Sequence, residues 1–366
     1  MAPLQTWTVE KPYLNLHCGL GEGPYYEKAA NVLRFVDIKK KQVHFVNLDQ
    51  GPQSLRTVQL DVPVGVTADI AGILVGLKYG VAVLDVQSGK YEYVSKLHDK
   101  DNERLRANDG AVDPHGRFWL GSMTDFGQGD FQVEGALHRF DGKSGKEEVL
   151  KDLLIPNSVG WSPDNKTMYF THSTDRKVYA WDYSPADGAL SGKRVFYTHD
   201  GAGEPDGFRV DTEGNLWHAV YNEGHLAAGE LVGEVKVPTL ATSCVQFVGT
   251  ELFITTAQLG EGEGTEEQRE LGARCSASTS EPGAWSRLSS SSEWSLAGHD
   301  GDTGGGSGVT RDVSDTKVVV ASPPRDGDGF AKRGSMRRFW GGGEGRPWAW
   351  QCVCDERGDH DNGRLR

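Results

Sequence analysis

The sequence predicts an all-β protein made of repeated four-stranded units, a β-propeller. Three observations carry that prediction. One strand–turn–strand motif recurs at a fixed interval of 49 residues, the chain holds 48 glycines against four methionines, and no span sustains a 3.6-residue apolar period.

The interval is set by Asp113-Pro-His-Gly-Arg-Phe-Trp119, Ser162-Pro-Asp-Asn-Lys-Thr-Met-Tyr169 and Asp211-Thr-Glu-Gly-Asn-Leu-Trp217. Each sets Asp, Asn, Pro or Gly between runs rich in β-branched and aromatic residues, which is hairpin composition. Leu137–Asp141 and Tyr179–Tyr183 add strands to the same units. A four-stranded unit with a period of about 40–50 residues is a propeller blade. Residues 1–257 hold about five such units, or six if the remainder once supplied one. A β-sandwich is the other all-β arrangement, but nothing in it requires a fixed period.

Composition narrows the partners. A chain of 366 residues can bury a large core. Its 39 Lys and Arg against 52 Asp and Glu leave a charge of −13, which argues against a nucleic-acid or anionic-membrane partner. No apolar run of about 18 residues exists to span a membrane. The first residues carry neither a basic nor an apolar segment of a secretion signal, and the five cysteines are scattered. The expectation is a reduced, cytoplasmic protein.

The character of the chain changes near residue 258. Gly260-Glu-Gly-Glu-Gly-Thr-Glu-Glu267, Ser289-Ser-Ser-Ser292 and Gly341-Gly-Gly-Glu-Gly345 follow, and Lys317-Val-Val-Val-Ala-Ser322 is the best remaining apolar run. Such composition buries too little apolar surface to offset chain entropy, so 258–366 is expected to be a low-complexity, disordered tail. Its five tryptophans are unusual for one.

Polar residues also recur once per unit. Asn108, Asn157 and Asp206 are spaced 49 residues apart, each a few residues ahead of its turn, and Glu22 stands in the similar Gly21-Glu-Gly-Pro24. Equivalent positions in successive blades lie at one height around the axis, so these four are expected to converge. Two carboxylates and two amide oxygens suit a hard divalent cation, Ca²⁺ first, then Mg²⁺ or Mn²⁺. Taken singly, each is equally an ordinary turn residue. Arg106 falls on the same strand face as Asn108 and can hold an anionic or hydroxyl-rich ligand.

On these residues the sequence resembles the regucalcin/gluconolactonase family. The matching stretches are Gly21–Pro24 with Leu33–Ile38, Arg106–Gly110 with Val112–Arg117 and Gly121–Met123, Pro156–Ser162, Pro205–Gly207 with Glu213–Trp217, and Thr242–Cys244, covering about residues 8–257. The resemblance implies a six-bladed propeller that hydrolyses sugar lactones. It implies Glu22, Asn157 and Asp206 as ligands of one divalent cation (Ca²⁺, with Zn²⁺, Mn²⁺ or Mg²⁺ as alternatives), Arg106 and Asn108 as substrate contacts, and Asp206 as the base. A family glutamate after the Gly-Ser-Met segment has no match, since Asp125 is near and Phe126 takes its place.

Two departures follow. From Asp206 to Cys244 is only 38 residues, so one strand of that unit is expected to be missing. The family's closing Gly-Gly-Ala-Leu-Phe-Arg-Val-Asp-Val strand is absent as well, leaving the last blade incomplete or missing. Codons for Gly272-Ala-Arg-Cys-Ser-Ala-Ser-Thr-Ser280, read from the third base, permit such a strand, which suggests a frameshift or missed splice site. Genomic DNA that does not encode the strand in that frame would sink the idea. A non-catalytic propeller binding calcium or a protein partner, or an inactive product of a faulty gene, are the alternatives to a lactonase.

Other signals are weaker. Gly19-Leu-Gly-Glu-Gly23 has no helix after it to hold a dinucleotide, Cys352 and Cys354 lack zinc spacing, and His172 reads as a buried strand histidine.

Overall fold

The computed structural model describes residues 5–9, 12–69, 72–142, 145–222, 231–272 and 316–321. Among them the secondary structure is β apart from the helix Glu266–Gly272 and two single 3₁₀ turns. Among the described residues no helix is long and apolar enough to cross a membrane.

Four antiparallel four-stranded sheets follow one another along the chain, their strands in sequence order. Their first strands are Gly21–Glu27, Val64–Asp69, Leu105–Val112 and Pro156–Trp161. A fifth sheet runs Glu204–Val210, Leu216–Tyr221, Thr316–Ala321, Leu231–Val237 and Gln5–Thr8, the last pair parallel. The sixth has two strands, Thr242–Val248 and Glu251–Thr256.

The 49-residue interval has a local cause. Asp113 Oδ1 accepts the backbone N–H groups of His115 and Arg117, both at 2.9 Å, while Oδ2 accepts the Trp119 indole N–H at 3.1 Å. Asp211 does the same for Glu213, Asn215 and Trp217, each at 2.9 Å. These turns need one left-handed residue, supplied by Gly116 (φ 87°), Asn165 (φ 58°) and Gly214 (φ 90°). The turn and its tryptophan therefore recur together in the third and fifth sheets, whereas the fourth has Ser162 and Met168 at these places.

Apolar side chains pack between neighbouring sheets. Val36, Val43, Val75 and Leu77 fill the space between the first and second, and Trp119, Val159, Phe170 and Trp181 that between the third and fourth. Phe253 of the sixth sheet packs with Leu33 and Phe35 of the first. Burying a side chain such as Phe253 contributes about 1.5–3 kcal/mol. Each first strand packs on the next one, and Thr242–Val248 packs on Gly21–Glu27. The first and last sheets also join through a Leu20–Ala257 bridge.

The expected shortfall after Asp206 is met from far along the chain. Thr316–Ala321 lies between Leu216–Tyr221 and Leu231–Val237, antiparallel to both. Within 258–366 the described residues include this strand and the helix Glu266–Gly272: an apolar run meets an unpaired strand edge, and edge N–H and C=O groups accept any compatible strand. The sixth sheet, with its two strands, is the one left short. Of the segment 272–280 only Gly272 lies within the described residues, so the expectation of a frameshift there falls outside them.

Candidate functional site

The site is built at a repeated defect. In every first strand the pairing with the second strand slips once: between Glu22 and Tyr25, Val64 and Val66, Ala107 and Gly110, Pro156 and Val159, Pro205 and Phe208, and Thr242 and Cys244. A β-bulge leaves residues without an opposite partner and re-aims their side chains. Glu22, Asn108, Asn157 and Asp206 all stand at these bulges, and each is buried.

Their contacts knit the sheets together. The Asn108 amide donates to the Pro156 carbonyl at 2.9 Å. Asn157 donates to Ser173 Oγ at 3.0 Å, and that hydroxyl donates to the Pro205 carbonyl at 2.7 Å. Asn157 Oδ1 and Asp206 Oδ1 are buried oxygens with no hydrogen-bond partner.

Asp109 is a third carboxylate at this place, absent from the sequence reading. It accepts the Ser158 hydroxyl at 2.8 Å and the Gly110 N–H at 2.7 Å. Burial, then the Asp109 charge, pushes the Glu22 carboxyl up to about 8. Burial and the charges of Glu22, Asp109 and Glu204 hold Asp206 well above its ordinary value. Burial raises Asp109 as well. The Arg209 guanidinium opposes the rise at Glu22 and Asp109, and Arg106 opposes it at Glu22.

Glu22, Asp109 and Cys244 each offer an atom within 4.8 Å of the others. Burial keeps the Cys244 thiol protonated, so the oxygen donors are the better partners for a hard cation. Strict alternation along a strand hid Asp109, because it sends residues 108 and 109 to opposite faces. The bulge between Ala107 and Gly110 cancels that alternation.

Arg106 departs most from expectation. It is 2 % exposed, and its guanidinium donates to the Ala107 carbonyl at 2.9 Å, to Asn108 Oδ1 at 2.7 Å and to Met123 Sδ at 3.3 Å. Phe126 lies 4.4 Å over it. Arg106 therefore holds the Asn108 oxygen in place, which removes that oxygen from the expected convergence of four free donors. Asp125 accepts from Lys78 at 2.6 Å. His172 is buried and satisfied, 2.9 Å from Asp175 and accepting the Leu154 N–H at 3.1 Å.

A model of the SMP-30/gluconolactonase/LRE-like region matches residues 20–258. The chain belongs to this family. Bovine regucalcin is 32 % identical over 274 residues, covering 70 % of this chain and 89 % of its own, and human regucalcin 31 % over 272 residues with the same coverage. Among solved structures, a luciferin-regenerating enzyme superposes with a TM-score of 0.64 at 26 % identity, over 74 % of this chain and 96 % of its own. The calcium-binding protein regucalcin of Agrobacterium tumefaciens gives 0.64 at 22 % identity, over 76 % and 97 %. A gluconolactonase of Xanthomonas campestris gives 0.54 at 21 %, over 66 % and 85 %. All six bulges described above lie within the matched span.

Proposed function

We propose that the chain is a lactonase assisted by one divalent cation, its six sheets forming the six blades of a propeller that closes through the Leu20–Ala257 bridge. Glu22, Asn157 and Asp206 hold the cation. The unpartnered buried oxygens of Asn157 and Asp206, beside a carboxyl of Glu22 that burial and like charge keep high, carry this reading. Buried oxygens without donors are costly, and a cation satisfies them. An oxygen donor set favours Ca²⁺, with Mg²⁺, Mn²⁺ and Zn²⁺ as alternatives.

When bound, the cation supplies Lewis-acid polarisation of the lactone carbonyl and a lowered pKa for water. The protein's own groups do the rest. Asp206 takes the proton of the attacking water and returns it to the ring oxygen as the acyl–oxygen bond breaks, giving a hydroxy acid. Asn108, fixed by Arg106 at its oxygen and by Pro156 at its nitrogen, lines the substrate without rearranging. The family resemblance suggests sugar lactones as first substrates, and the acidic surface suits no nucleic acid or anionic membrane. A reduced, cytoplasmic protein remains the expected setting.

The test is lactone opening by metal-stripped protein titrated with each cation, beside Glu22→Gln and Asp206→Asn. Metal-restored turnover lost in both variants supports the hydrolase. A folded, cation-binding chain without turnover on any lactone supports the non-catalytic calcium-binding propeller instead.

A further inference from the structure

The loop Asp125–Glu134, between strands Phe118–Thr124 and Gly135–Asp141, covers the outer side of Arg106. Phe126 sits on the guanidinium, with Lys39 Nζ 5.3 Å from its ring and Phe131 6.2 Å beyond. Phe131 is 38 % and Val133 60 % exposed. Among the described residues the exposed large apolar side chains are these two, Val94 and Val195; the other two lie on the outermost strands of their sheets. Apolar exposure is thus concentrated beside the candidate site. Gly127 and Gly129 leave the space around the loop open, since an added Cβ meets nothing within 4 Å at either.

Most of the polar groups around this loop already have partners within the protein. Of the five guanidinium N–H groups of Arg106, three on the terminal nitrogens go to Ala107, Asn108 and Met123, while Nε has no hydrogen-bond partner and lies 3.7 Å from Asp125. Asp125 is held by Lys78 and by the Phe126 N–H. Glu134 is held by Arg104 and Thr124. A ligand entering over Arg106 meets the Phe126 ring, with the exposed Lys39 ammonium 5.3 Å from it.

We propose that Phe126 and Phe131 form a specificity wall that selects a lactone carrying an aromatic ring over a polyhydroxylated sugar lactone. This rests on the hydrolase reading above and names its substrate class. The aromatic ring stacks on Phe126 and Phe131, where offset or edge contacts are favourable and a sugar would have to strip water from its hydroxyls against apolar rings.

The test compares kcat/KM for dihydrocoumarin and D-glucono-1,5-lactone in the cation-supplied full chain, with Phe126→Ala, Phe131→Ser and the control Val195→Ser. The expected result is a preference for dihydrocoumarin of at least about tenfold, reduced about tenfold by Phe131→Ser through KM and unmoved by Val195→Ser. Phe131→Ser keeps the test valid if Phe126→Ala unfolds, because Phe131 is exposed. A preference for the sugar lactone, or an unchanged ratio in both Phe variants, overturns the wall. If neither lactone opens, the hydrolase reading fails by itself, and calorimetric binding of 3,4-dihydroquinolin-2-one (the lactam analogue) decides. Binding weakened by Phe131→Ser upholds the wall; no binding, or binding that Phe131→Ser leaves unchanged, overturns it.

Discussion

Ser158 donates its hydroxyl hydrogen to Asp109 at 2.8 Å, joining two sheets through residues 49 apart in sequence. The same oxygen accepts the Phe208 N–H at 2.9 Å, so one side chain ties the third, fourth and fifth sheets beneath the candidate site. Ser158→Ala leaves a buried N–H and a buried carboxylate each short of a partner. The expected cost is about 1–3 kcal/mol in denaturant unfolding, with no change in m-value.

Gly65 lies at the second-sheet bulge, where an added Cβ comes 1.9 Å from the Asn108 carbonyl oxygen. That atom is backbone and cannot swing away. Gly65→Ala is expected to cost about 3 kcal/mol and to lower turnover by displacing Asn108. Val195→Ser, at an exposed position on an outermost strand, serves as the comparison for turnover.

Removing a carboxylate should stabilise the metal-free protein. The Glu22 carboxyl is raised from 4.5 to about 8, so the unfolded chain gives up that proton at lower pH than the folded one. This contribution is complete below about pH 4.5 and is lost as pH rises through 8. Chelator-treated protein should therefore melt progressively lower toward pH 8.5, and Glu22→Gln should flatten that fall. A divalent cation should raise Tm more at pH 8.5 than at pH 6 in the parent chain, and little in Asp206→Asn.

The acid side is governed by other groups. Burial lowers His44, His138 and His218 from 6.5 to about 4 each, keeping them neutral in the fold. The unfolded chain binds these protons first, so stability falls as pH drops from 6.5 toward 4. Replacing His218 with Asn should reduce the slope of unfolding free energy against pH in that window by about one proton.

Thr316–Ala321 should matter for folding. A chain ending at Gly272 exposes the facing edges of Leu216–Tyr221 and Leu231–Val237. It is expected to melt lower and to self-associate more than the full chain, read by calorimetry and light scattering.

The sequence by itself determined what is local. Asp113, Asp211 and their tryptophans mark each turn because the hydrogen bonds that make the turn span only a few residues. Asn108, Asn157 and Asp206 stand out because they recur at a constant interval of 49 residues, each ahead of a turn, and Glu22 because its Gly21-Glu-Gly-Pro24 setting is similar. Tertiary structure decided what depends on pairing between strands. The bulge that turns Asp109 inward is a register slip between two strands, which alternation along one strand does not reveal. Phe126 over Arg106 is a contact between a loop and a strand some 20 residues apart, and it helps bury the guanidinium. The strand at Thr316–Ala321 joins the fifth sheet across about 100 residues of chain, where only the vacant edge defines its place. Long-range pairing of this kind depends on which edges the rest of the fold leaves open, and no short stretch of sequence records that.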